Sequence, residues 1–167
     1  MIYALTTEDP ELDPIEAQQE EADLSIFPTV EDRRILLTRL KLLGTKTVAV
    51  EFQGGGDSGE IHTIGVYGAD NDQINIDNEL IRGWKMKSEF NHDKKDWDNS
   101  LEYIENMKLA DLLENLTYDA LEKSGEDWYN NDGGQGSFTI DFTQSPPDIK
   151  LELGINYTET TEHEFNL

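Results

Sequence analysis

Gly56-Asp57-Ser58-Gly59 is the first segment whose residue types could do chemistry, since a serine flanked by glycine and a carboxylate is a common setting for a hydrolytic nucleophile. A serine protease segment of this kind continues with Gly and Pro, and an esterase block of this kind leads from a strand into a helix. Here Glu60-Ile61 follows, in what reads as a second strand. A serine nucleophile also needs an oriented base, and His62, His92 and His163 stand in no recognisable catalytic context. The expectation is a glycine-rich hairpin turn in which Asp57 and Ser58 bond the local backbone. The run Asp70 to Asp77 invites a calcium reading. An EF-hand loop needs an oxygen ligand at its fifth position, Gly at the sixth and Glu at the twelfth. Those positions hold Ile74, Asn75 and Ile81, so the match fails. There is no cysteine, the histidines lack zinc-ligand spacing, and no Gly-Lys-Ser/Thr follows the glycines. No catalytic residue, metal or cofactor is expected. Trp84, Trp97 and Trp128 read as core or half-buried anchors. Trp128 is the exception worth following, because Asp127, Asn131 and Asp132 stand beside it on a turn.

The charge balance bears on partners. The 167 residues carry 36 Asp+Glu against 13 Lys+Arg, a formal charge of −23. Such charge opposes compaction. Leu, Ile, Val and Phe nevertheless make up 41 residues, above the level of roughly 20% below which a highly charged chain reads as disordered. The chain can bury a core, and its length suits one domain with a tail. Affinity for a phosphate backbone comes largely from Lys and Arg. Direct binding of nucleic acid or anionic lipid is therefore not expected, whereas a basic protein surface would be attracted. No apolar run is long enough for a membrane span or a signal peptide, so a cytoplasmic location is expected.

The acids are unevenly spread. Residues 1–28 hold Glu8, Asp9, Glu11, Asp13, Glu16, Glu20, Glu21 and Asp23 with no Lys or Arg, and read as an acidic N-terminal arm. The remaining residues, 29–167, read as a single α+β domain. Thr29 can cap a helix over 30–43 whose Leu36, Leu40 and Leu43 share a face, with Gly44 as its stop. Residues 46–53 and 60–67 alternate as the strands of a hairpin around the glycines, and a short third strand is expected at 73–76. The stretch 82–99 holds Lys85, Lys87, Lys94 and Lys95 without a clean period, and reads as a loop or insertion. Leu109, Leu112, Leu113, Leu116, Ala120 and Leu121 mark a helix over 108–123 with Gly125 beyond it. The run Asn130 to Gly136 reads as a loop. Phe138, Ile140 and Phe142, then Ile149, Leu151, Leu153, Ile155 and Tyr157, alternate as a second hairpin turning at Ser145-Pro146-Pro147-Asp148. The expected architecture is a two-layer sandwich, an antiparallel sheet of two β-hairpins with two main helices on one face.

VAVEFQGGGDSGEI (Val48 to Ile61) and WYNNDGGQGSFTID (Trp128 to Asp141) together resemble the paired GxGDSGxI and WxxNDGGxGxFxxD motifs of a small uncharacterised domain family of bacterial and mobile-element proteins. The resemblance spans roughly residues 30–160, with the arm 1–28 and the stretch 82–99 outside it. The family tends to place Gly before the tryptophan, where Asp127 stands here. The resemblance implies a shared fold with two facing Gly/Asp-rich loops, and no activity. Two similar turns on two hairpins could lie at one end of a sheet, gathering Asp57, Ser58, Glu60, Trp128, Asn131 and Asp132 as candidate binding residues.

The leading functional expectation is a binding protein that works through negative patches on a basic partner. That partner would be a protein that handles nucleic acid, and the chain would act as a nucleic-acid mimic of the kind phage-encoded inhibitors use. The alternatives are a small-ligand protein or enzyme using the two loops, and a structural accessory subunit. The oligomeric state is left open.

Overall fold

The computed structural model describes residues 26–157 and 161–165. The acidic residues Glu8 to Asp23 lie outside the described residues. The elements in order are α1 (Val30–Leu42), β1 (Thr47–Tyr67), a 3-10 turn (Ala69–Asn71), β2 (Leu80–Asn91), β3 (Asp96–Lys108), α2 (Leu109–Ser124), β4 (Asn130–Asp141) and β5 (Asp148–Ile155). This is the expected α+β sandwich of helices on antiparallel sheets. Among the described residues no helix is long and apolar enough to cross a membrane.

Thr29 caps α1 as its type allows, its hydroxyl accepting from the Asp32 amide at 3.1 Å. Leu36, Leu37 and Leu40 are buried beneath the helix, and Gly44 leaves it with a φ of +83°. In α2 the expected stripe of Leu109, Leu112, Leu113, Leu116, Ala120 and Leu121 is buried, joined by Thr117, whose hydroxyl donates to the Leu113 carbonyl at 2.9 Å. Gly125 ends the helix in the left-handed conformation.

The larger sheet has strand order β1-β4-β5, all antiparallel. Val48 lies opposite Ile140, Val50 opposite Phe138 and Phe52 opposite Gly136, so the period-two apolar residues of both strands meet on the face that the helices cover. The 21 residues of β1 would extend about 70 Å if straight. Instead the Lys46 amide donates to the Tyr67 carbonyl at 2.7 Å, and the Thr63 hydroxyl to the Glu51 carboxylate at 3.1 Å. The run is therefore folded back on itself about the glycines, as the alternation on either side of them predicts. Along β5 the inward side is half-buried at Ile149, Leu151 and Leu153. Ile155 and Tyr157, expected to continue it, are exposed because the strand has passed the end of the core.

Three expectations need correction. The stretch 82–99 is no loop but most of the β2–β3 hairpin, a separate two-stranded sheet. Only its root is buried, at Ile81, Trp84 and Met107. Further out both faces meet solvent, and the alternation of Trp84, Met86 and Phe90 is broken by Ser88 and set among charges, so the period is easily missed. Its turn is made by Asn91, whose side chain accepts from the Asp93 and Lys94 amides at 3.0 and 3.1 Å. The third strand at 73–76 reduces to one bridge between Tyr67 and Gln73. The run Asn130 to Gly136 is strand and not loop, since pairing with β1 satisfies its backbone; Gly133 is the one residue within it with positive φ.

The hairpin is tied to α1 at its root. Asp32, 2% exposed, accepts from the Thr29 hydroxyl at 2.9 Å and the Tyr103 hydroxyl at 2.6 Å. Arg39 donates to the Leu80 carbonyl at 2.6 Å. Phe27 packs edge-on to Trp84 with ring centroids 6.0 Å apart, filling the corner between hairpin and helices. Thr29→Ala removes the cap and one Asp32 donor, and is expected to cost about 1 kcal/mol or more in urea unfolding. Tyr103→Phe leaves a buried carboxylate short of a donor, and is expected to lower the urea midpoint and speed amide exchange in β2 and β3.

Candidate functional site, a cleft between the glycine-rich segments and the end of α2

The two glycine-rich segments are not turns that face each other. They are neighbouring strands. Gly54 lies opposite Gly134, Gly56 opposite Asn131 and Asp57 opposite Asn130, with a bulge between Gly54 and Gly56. What requires the glycines is Trp128. A Cβ on Gly59 would overlap the far edge of its indole, and one on Gly54 would press on the indole and on the Trp128 carbonyl. A Cβ on Gly133 would strike the Gly54 carbonyl, and there φ is also +73°. Trp128 is 6% exposed and meets Phe52 edge-on at 5.4 Å, forming with Leu121 a second small core below the main one.

Beside this seat opens a cleft of about 850 Å³. Asp57, Ser58 and Gly59 form one wall, Tyr118, Leu121 and Glu122 of α2 another, and Glu126 to Asn130 the third. The Asp127 carboxylate accepts from both the backbone and the side-chain nitrogen of Asn130 at 3.2 Å, which fixes the chain's entry into β4. Asp57, Glu122, Glu126 and Asp127 are all exposed, and among the described residues no Lys or Arg lines the cleft. The C-terminal end of α2 adds its negative dipole end. Burial, and next the Glu114 carboxylate, hold the Tyr118 phenol above its ordinary value. On the adjoining side of the helix, burial and then Glu122 push the Asp119 carboxyl up.

Of the candidate residues, the structure brings Asp57, Ser58 and Trp128 to this cleft. Trp128 is its floor, and the aromatic surface open to solvent belongs to Tyr118 and Tyr129. Asn131 sits one pair further along β4, with its backbone opposite Gly56. Asp132 lies beyond it, its carbonyl accepting from Asn156 at 3.1 Å. Glu60 faces a separate hollow with Gln53 and His62, and His62 Nε2 is paired with the Gln53 side chain at 2.8 Å. Sequence reasoning missed Tyr118, Glu122, Glu126 and Tyr129 as site residues, and noted Asp127 only as a polar neighbour of Trp128. The available signal was the four-residue spacing of Tyr118 and Glu122, which puts them on one helix face just before the Gly125 stop.

The seat makes a checkable claim about the motif. Gly59→Ala is expected to cost about 1–3 kcal/mol through overpacking. Combining it with Trp128→Leu should cost less than the sum of the single changes. Ser58→Ala should stay within about 0.5 kcal/mol. Chemical denaturation of the parent and the four variants decides. Asp119 supplies a pH test. Its folded pKa lies above the unfolded value, so the folded state holds the extra proton and stability rises as pH falls through the folded pKa. Asp119→Asn should therefore be more stable than the parent at neutral pH, with the difference vanishing below the unfolded carboxyl pKa.

No curated protein and no solved structure matches the chain. Residues 29–167, which contain both glycine-rich segments and the whole cleft, match one family over their full length. The chain thus belongs to DUF6878, a family of unknown function.

Proposed function

We propose that the protein is a binding protein whose acidic surface holds a basic partner, with cationic side chains of that partner seated in the cleft. The observation that carries this reading is the lining itself. Four exposed carboxylates, Asp57, Glu122, Glu126 and Asp127, surround two exposed phenols, Tyr118 and Tyr129, and among the described residues no Lys or Arg lines the cleft with them. Carboxylates at a helix C-terminus raise the energy of the free protein. A guanidinium or ammonium group relieves that cost and can also lie over an aromatic face. The overall charge of −23 adds long-range attraction and faster encounter. Lys- and Arg-rich surfaces of this kind belong above all to proteins that handle nucleic acid. Occupying one would exclude its phosphate ligand, which makes a nucleic-acid mimic the natural finer form of the reading.

The test uses a short arginine-rich peptide as probe. Its affinity should fall about tenfold or more as salt rises from about 50 to about 300 mM. Neutralising the cleft (Asp57→Asn, Glu122→Gln, Glu126→Gln, Asp127→Asn) should weaken binding about tenfold at low salt. Neutralising four exposed acids elsewhere (Asp70→Asn, Asp72→Asn, Asp77→Asn, Asp93→Asn) should change it far less. Equal losses in the two variants, or a complex indifferent to salt, would refute the cleft as the binding place.

A further inference from the structure

A second concavity lies across α2 from the cleft. It is a groove of about 680 Å³, based on Phe27 and Trp84 and walled by Met86, Leu101 and Asp119. Glu122 lines both the groove and the cleft, so the last turn of α2 is the ridge between them. From the groove an apolar face continues out along the hairpin. Met86 lies opposite Leu101 and Phe90 opposite Trp97, and the two-residue period puts all four on one side of the ribbon. They are 55%, 39%, 42% and 60% exposed, in that order. The other side of the ribbon is polar, with Lys85 3.9 Å from Glu102 and Lys87 2.9 Å from Glu89. A two-stranded ribbon gains little stability alone. A row of large apolar side chains along it marks a surface meant to be covered.

Charge selects what covers it. Residues 80–108 carry six Lys or Arg and six Asp or Glu, so the ribbon is neutral within a chain of charge −23. The groove's rim carries Asp119, Glu122 and Lys123, two acids against one base, and Asp119 is held partly desolvated beside Glu122. A second copy would bring another −23 to that rim. Residues 1–25 would bring eight acids and no base. A basic segment meets neither of these repulsions, and Lys123 is the one base it faces among the groove's lining residues. We infer that the groove and the apolar face of the hairpin receive the apolar side of a basic amphipathic segment whose cationic side occupies the cleft across the Glu122 ridge. This rests on the proposed function of the cleft and extends it: the partner is read by an apolar strip as well as by charge.

Two synthetic peptides serve as probes, one with a Lys face and a Leu face, the other with Ser in place of each Leu. The full chain, its Met86→Ser/Leu101→Ser variant and its Phe90→Ser/Trp97→Ser variant are compared, each checked for native circular dichroism. All four positions are exposed, so the fold should survive. The serine variants should bind the Lys/Leu peptide about tenfold or more weakly and the Lys/Ser peptide unchanged, whereas the neutralised cleft should weaken both. Unchanged Lys/Leu binding by both serine variants overturns the inference. If the cleft variant still loses affinity in that case, the cleft reading survives alone; if it too is unchanged, both fail. Self-association in sedimentation that the serine changes abolish would assign the face to a second copy and overturn the inference. Proteolysis within residues 1–25 that they accelerate would assign it to the chain's own N-terminal segment, with the same consequence.

Discussion

The packing of the Trp128 indole against Gly54 and Gly59 fixes the far end of the molecule. Side chains at those glycines would occupy the volume the ring fills, so β1 and β4 could not close over it. With the ring in place, Phe52, Leu121 and Trp128 form a core of their own beneath the sheet. The same contact sets the bulge in β1, brings Asp57 opposite Asn130, and holds the end of α2 against both strands. The glycines and the tryptophan of the two motifs are thus two halves of one packing solution. In this chain packing alone accounts for both segments, without requiring either to be a catalytic loop.

The acids around this seat make a different kind of sense. Asp57, Glu122, Glu126 and Asp127 stand near the negative end of a helix, where cations would stabilise the fold. One base, Lys123, stands in that last turn but lines the adjoining groove and not the cleft, while Arg39 is used on the Leu80 carbonyl and Lys85 and Lys87 pair with acids on the hairpin. Exposed pairs of that sort contribute little to stability. Their effect is to leave the hairpin neutral while the cleft stays uncompensated. The rest of the fold carries the cost through its Leu-rich main core, which α1, α2, β1 and β4 share and which the Asp32 network closes at the root of the hairpin.

Much of the fold was legible because burial writes a period into sequence. The stripes of α1 and α2, the alternation of Val48, Val50 and Phe52, and that of Phe138 and Ile140 all face the buried side of the sheet, Phe52 and Leu121 in the small core and the rest in the main one, and all were readable. Where burial stops, so does the signal. The hairpin of β2 and β3 meets water on both sides over most of its length, and its apolar row was hidden among paired charges. The strand character of Asn130 to Gly136 was hidden for another reason. Residues that favour turns sit there to let backbones and an indole approach closely.

By itself the sequence determined the composition-level facts and the local ones: a foldable but strongly acidic chain, two helices with their stop signals, alternating strands, and two glycine-rich segments. These follow from single residues and near neighbours, whose preferences act whatever lies across the molecule. Only the tertiary structure decided that Glu122 of α2, Asp57 of β1 and Asp127 before β4 share one cleft, and that Trp128 closes it from below. Their separation along the chain carries no trace of that meeting. It results from strand register and from volume left empty by glycine, which are properties of the packed molecule and of no segment alone.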